Sequence, residues 1–82
     1  MDRYAISIFD KFFNQVFTGI FACNTKKEAI TQSKETYALE LDTEIKEIKV
    51  IDVVKLNDNE IVNKELLEKY RNKAIQRIGG LK

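Results

Sequence analysis

The stretch RYAISIFDKFFNQVFTGIFAC, Arg3 to Cys23, constrains this chain most, because it alternates at period two on both sides of a single polar break. A run of that kind cannot be a helix. It reads as two strands, Tyr4–Phe9 and Val16–Cys23, folded back on each other around Asp10–Gln15. Placing Phe9 opposite Val16 sets Ile8 against Phe17, Ile6 against Gly19 and Tyr4 against Phe21. One face then carries Tyr4, Ile6, Ile8, Phe17, Phe21 and Cys23. The other carries Ala5, Ser7, Phe9, Val16, Thr18, Ile20 and Ala22. The first face is bulkier and is taken as the core side; a one-residue slip would exchange the two.

Three further elements follow. NTKKEAITQSKETYALEL opens with Thr25 and Glu28 in the spacing of a capping box and predicts a helix to about Leu41, with Ala29, Ile30, Ser33, Tyr37, Ala38 and Leu41 on one side. EIKEIKVIDVVKL is rich in β-branched residues and predicts a third strand. Straight alternation puts Ile48, Val50, Val54 and Leu56 on one of its faces and Ile51 and Val53 on the other. Apolar residues on both faces suggest a central strand. Asp52 falls on the more apolar side, where a bulge or a hydrogen bond to a nearby backbone amide would relieve it. Asn63 caps a last helix, Lys64–Ile78, whose stripe is Leu66, Leu67, Tyr70, Ala74, Ile75 and Ile78, and Gly79-Gly80 stops it.

The order is ββαβα, a small α+β domain spanning residues 1–82, with an expected sheet order of 2-1-3 and one helix on each face. Eighty-two residues suffice for one core and no more. No run approaches the roughly 20 apolar residues of a membrane span, so no membrane partner is expected. Cys23 is the only cysteine and cannot form an internal disulfide. The expected setting is reducing and cytoplasmic.

The residues that carry common chemistry are sparse. With no histidine and one cysteine, Cys/His nucleophiles and ordinary zinc ligation are excluded. The glycine pair follows a helix, so it does not cradle phosphate. Glu40, Asp42 and Glu44 read as a solvated loop, Cys23 as packing, and Tyr4, Tyr37 and Tyr70 as core residues. The chain is read as non-enzymatic, without cofactor or metal.

FACNTKKEA, Phe21 to Ala29, resembles the strand-to-helix junction of the arm-type DNA-binding domain of tyrosine integrases, where a strand ending in an aromatic meets a Thr-x-x-Glu-Ala helix start. The match spans nine residues. It lacks that domain's third strand before the helix and its basic residues, so no DNA contact carries over to a position here.

Surfaces remain. All five phenylalanines lie between Phe9 and Phe21, two of them in the turn, where Gly, Asn or Asp would be usual. One ring, Phe12 or Phe13, is expected to close the core. The other, with Phe9 and Val16, is expected either to be covered by the last helix or to form an exposed patch that binds another protein. Charge is uneven: residues 1–63 hold 8 basic and 11 acidic side chains (−3), and residues 64–82 hold 6 and 2 (+4). That imbalance suits the last helix's own dipole. It also offers a ridge of Lys69, Lys73 and Arg77 for nucleic acid, ranked second. A structural homodimer, built on the less bulky sheet face or the last helix, ranks third. Lys, Ile and Asn supply 27 of the 82 residues, a composition that suggests an AT-rich phage or mobile element and, with it, an inhibitor or accessory protein that occludes a host or defence protein.

Overall fold

A computed structural model describes residues 1–78; the Gly79-Gly80 stop lies outside them. The elements are β1 (Asp2–Asp10), β2 (Gln15–Cys23), α1 (Lys26–Glu40), a 3-10 turn (Ile45–Glu47), β3 (Ile48–Lys55) and α2 (Lys64–Ile78). The three strands form one antiparallel sheet in the order β2-β1-β3, an α+β fold. The hairpin register is the one read from the alternation, from Phe9↔Val16 through Tyr4↔Phe21.

The bulky face packs on α1. Tyr4, Ile6, Ile8, Phe21 and Cys23 are buried with Ala29, Tyr37, Ala38 and Ile48, and Phe17 and Leu41 close the margin. The Thr25 hydroxyl accepts the Glu28 amide at 3.1 Å and starts α1. Gly19 has a specific reason to be glycine. A Cβ there would stand 2.5 Å from the Tyr37 hydroxyl oxygen and 3.2 Å from a Phe21 ring carbon. Burial in this contact pushes the Tyr37 hydroxyl up to about 12, with the nearby Glu40 charge adding to the effect.

The other face packs on α2 of the same chain, where Ala5, Leu56 and Tyr70 form a second core with Ile20, Val54 and Leu66 at its margin. Asn63 caps α2, its side-chain oxygen accepting the Leu66 amide at 2.8 Å. The chain thus places its own last helix over the sheet face on which a homodimer could have been built.

β3 takes the edge position that the order 2-1-3 gives it and not the central one its composition suggested; its two apolar faces exist because both helices reach over it, not because strands flank it. It is also bulged. Ser7 pairs with Asp52 while Ile8 pairs with Val50, so Ile51 is extra. The extra residue reverses the alternation. Ile48, Val50 and Val53 join the α1 side, and Asp52 and Val54 join the α2 side. There Asp52 accepts a hydrogen bond from Arg77 Nη1 at 2.9 Å, in an ion pair with the carboxylate 7% exposed. Of the two forms of relief expected for Asp52 the bulge is present, while its hydrogen bond comes from the Arg77 guanidinium and not from a backbone amide. No helix among the described residues is long and apolar enough to cross a membrane.

The link from β3 to α2 is held by charge. Arg3 Nη2 donates to the Asn57 and Glu60 carbonyls at 2.7 and 2.9 Å. The Glu60 carboxylate accepts from the Asn57 amide and the Tyr70 hydroxyl, both at 2.9 Å. The Asn57 amide, then the Tyr70 hydroxyl, hold the Glu60 carboxyl below its usual 4.5, and Lys69 and Arg3 assist.

Two outcomes follow from this packing. Gly19→Ala is expected to destabilise by about 1–3 kcal/mol through overpacking. In a Tyr37→Phe background, which deletes the crowding oxygen, the penalty drops below about half of that; equal penalties in denaturant melts of the two backgrounds would show that the hydroxyl is not the constraint. For Glu60 the folded state favours the carboxylate, so its stabilisation is complete above the ordinary pKa and is lost as pH falls through the depressed one. The melting-temperature advantage of the native chain over Glu60→Gln is expected to be constant from neutral pH down to about pH 5.5 and to shrink below 4.5. An advantage that persists at pH 2 would dissociate it from this carboxylate.

Candidate functional site

The candidate site is the β1–β2 turn. Both strands run one residue further than the sequence reading gave them, to Asp10 and Gln15, so the loop is four residues, Lys11–Asn14, and not six. Its geometry comes from its ends. Asp10 is fully buried, and its Oδ1 accepts the Phe12 amide at 2.8 Å and the Phe13 amide at 3.4 Å. Asn14 takes the left-handed region, φ 57°, which asparagine tolerates, and its amide donates to the Asp10 carbonyl at 2.8 Å. The Lys11 amide donates to the Glu47 carbonyl at 3.0 Å and ties the loop to the residue before β3. With the turn formed by Asp10 and Asn14 and tied down at Lys11, the two phenylalanines carry no conformational duty.

Phe12 and Phe13 both point outward, 73% and 48% exposed. Their rings meet edge to face, centroids 5.1 Å apart at 81°. The expectation that one ring closes the core is therefore corrected. Asp10 occupies the sheet end beneath the turn, and each ring finds its contact in the other. Val16 is also corrected: it is 2% exposed, and its carbonyl accepts Arg71 Nε at 3.0 Å. Phe9 is half-buried and lines an open groove of about 540 Å³ with Lys11, Lys49, Ile51, Arg77 and Ile78. The structure thus separates the four predicted residues into an exposed pair, a groove wall and a core residue.

The groove gathers three cations from the turn, β3 and the end of α2. Sequence reading missed it, since no local spacing joins Lys11, Lys49 and Arg77. The α2 ridge is exposed as expected, but Lys69 Nζ lies 5.6 Å over the Tyr70 ring and Arg77 is paired with Asp52. Only Lys73 is left without an ion-pair or aromatic partner among the described residues.

The other chemistry-bearing residues are internal. Cys23 is buried, and its thiol donates to Gln32 Oε1 at 2.8 Å. Tyr4, Tyr37 and Tyr70 are all buried. Burial, then the Glu60 hydrogen bond, raises the Tyr70 hydroxyl above its ordinary range. Among the described residues no cluster of His, Cys, Asp and Glu could hold a metal ion. Leu39, Ile45, Ile61 and Val62 are exposed too, but they are aliphatic residues in the last turn of α1 and in connecting segments, the scattered exposure found on any soluble surface. No family model, no curated protein and no solved structure matches this chain.

An exposed ring contributes little to folding, whereas a buried one contributes about 3 kcal/mol or more. Phe12→Ser and Phe13→Ser are each expected to leave the unfolding free energy within about 0.5 kcal/mol of the native chain. A loss of about 3 kcal/mol in either would place that ring in the core after all.

Proposed function

We propose that this protein is a small, non-enzymatic binding module that docks on another protein through its β1–β2 turn, with Phe12 and Phe13 as the apolar anchors. The observation that carries the reading is the pair of exposed rings on a turn braced by Asp10, Asn14 and the Lys11–Glu47 bond. Aromatic anchors held in place before contact lose little freedom on binding, which is how a few residues come to dominate an interface. The module acts by occlusion or bridging and needs no cofactor. Its Lys/Ile/Asn-rich composition supports an origin in a phage or mobile element, where covering a host or defence protein is the matching role. A lone buried cysteine with no disulfide partner in the chain is compatible with a cytoplasmic setting.

The groove beside the turn favours a second reading. Lys11, Lys49 and Arg77 near two exposed rings, with Lys73 further along α2, would also suit single-stranded nucleic acid, by phosphate contacts and base stacking.

One pair of measurements separates the two. The immobilised protein retrieves a partner from a cell extract, and the purified partner is then titrated by calorimetry. Phe12→Ser and Phe13→Ser are each expected to raise its Kd about 30-fold, the size of an interface hot spot. Unchanged affinity in both variants refutes the turn as the docking site. A low-salt gel shift with single-stranded and duplex probes is expected to show no complex at micromolar protein. A complex that dissolves steeply with added salt would establish the nucleic-acid reading instead.

A further inference from the structure

A strand at a sheet edge leaves a row of amides and carbonyls without ladder partners, and stable monomers blunt it with charge, proline, a bulge or a covering side chain. The two edges here are treated differently. β3 carries Lys49, Asp52 and Lys55 within eight residues and bends at the Ile51 bulge. β2 reads QVFTGIFAC, nine residues with no charge and no proline.

Two hydrogen bonds fix which backbone groups of β2 face outward. The Arg3 carbonyl accepts the Leu56 amide at 2.9 Å, so Arg3, and by alternation Ala5, Ser7 and Phe9, turn toward β3. Their partners across the other ladder, Ala22, Ile20, Thr18 and Val16, therefore turn their groups away from β1. The Val16 carbonyl agrees, reaching outward to Arg71 Nε. That is the one side-chain hydrogen bond to this row among the described residues. Thr18, Ile20 and Ala22 still present six groups, on side chains that are half-buried or exposed.

We propose that this row is a self-association edge: β2 strands of two copies pair antiparallel about a two-fold axis at Ile20 and join two sheets into one of six strands. The choice of a second copy rests on the strand itself. An uncharged strand has nothing to repel its own image. With Ile20 on the axis, Thr18 faces Ala22, Ile20 faces its counterpart, and all three outward residues are paired. The pairing stops short of Val16, so the Arg71 contact is retained. The edge is distinct from the exposed rings of the turn.

Sedimentation and light scattering on the full chain at about 0.5 mM are expected to give twice the 9.5 kDa chain mass. Ala22→Pro deletes an outward donor and no intramolecular ladder bond, a position where an edge strand tolerates proline. It is expected to keep the native circular dichroism and to sediment as a monomer, as is Ile20→Lys, which sets two charges face to face. Phe12→Ser and Phe13→Ser stay dimeric. Amide exchange at Thr18, Ile20 and Ala22 slows about tenfold or more as concentration rises. A monomer at 0.5 mM overturns the proposal, as does a dimer that survives both edge variants. A dimer lost only in the phenylalanine variants also overturns it.

Discussion

Everything in this structure is arranged around β1. It is the central strand, and from Tyr4 to Ile8 every residue is buried. Its two faces are unequal in size. Ile6 and Ile8 project toward α1, which meets them with the small side chains Ala29, Ser33 and Ala38. Ala5 and Ser7 project the other way and leave room for Tyr70 and the fully buried Ala74 of α2. Large against small on one side and small against large on the other is how a three-stranded sheet of this length can be close-packed on both faces. The one polar side chain of that central run, Ser7, is satisfied by Thr18 across the ladder at 2.8 Å.

That arrangement explains what could be read from the chain before any coordinates. Period-two alternation and the bulk difference between its faces gave the hairpin register, because a slip by one residue would have put Ile6 and Ile8 where Ala5 and Ser7 must be. Local chemistry marked both helix starts, Thr25 and Asn63. The bulge at Ile51 was not legible in detail. It is a single-residue insertion into a pattern whose residues are apolar on both faces anyway, so Ile51 and Val53 look alike in sequence. Only their β1 partners distinguish them. The order 2-1-3 put β3 at the edge, but its composition pointed to a central place, since a strand covered by two helices has the composition of a strand flanked by two others. Gly19 could be noticed but not explained. That it answers to Tyr37 depends on where α1 crosses the sheet.

The turn was misread for a different reason. Attention to its bulky residues, Phe12 and Phe13, suggested that one of them must be structural. The structural residues are the flanking ones. Asp10 binds two turn amides from a fully buried position, and Asn14 supplies the left-handed step. A turn specified at its ends leaves its middle free of folding constraint, and there the chain places two rings that its own core does not use.

The exposed turn and the uncharged edge are consecutive in the chain, because β2 begins two residues after Phe13. This contiguity couples the two proposals geometrically. In a β2–β2 pair with Ile20 on the axis, antiparallel strands carry the two turns to opposite ends of the joined sheet. Gln15 lies five residue steps from Ile20, and at about 3.3 Å each, with the turn added, every tip lies roughly 20 Å from the axis and about 40 Å from the other. Such a dimer would present two identical aromatic anchors on one rigid sheet, facing away from each other. It would bridge two partner molecules, or two sites on one repeating partner, with the second contact gaining from the first through effective concentration. A monomer with the same turn could only occlude. On these two proposals, whether the fold would block or bridge depends on the β2 edge, and its choice of partner on the rings.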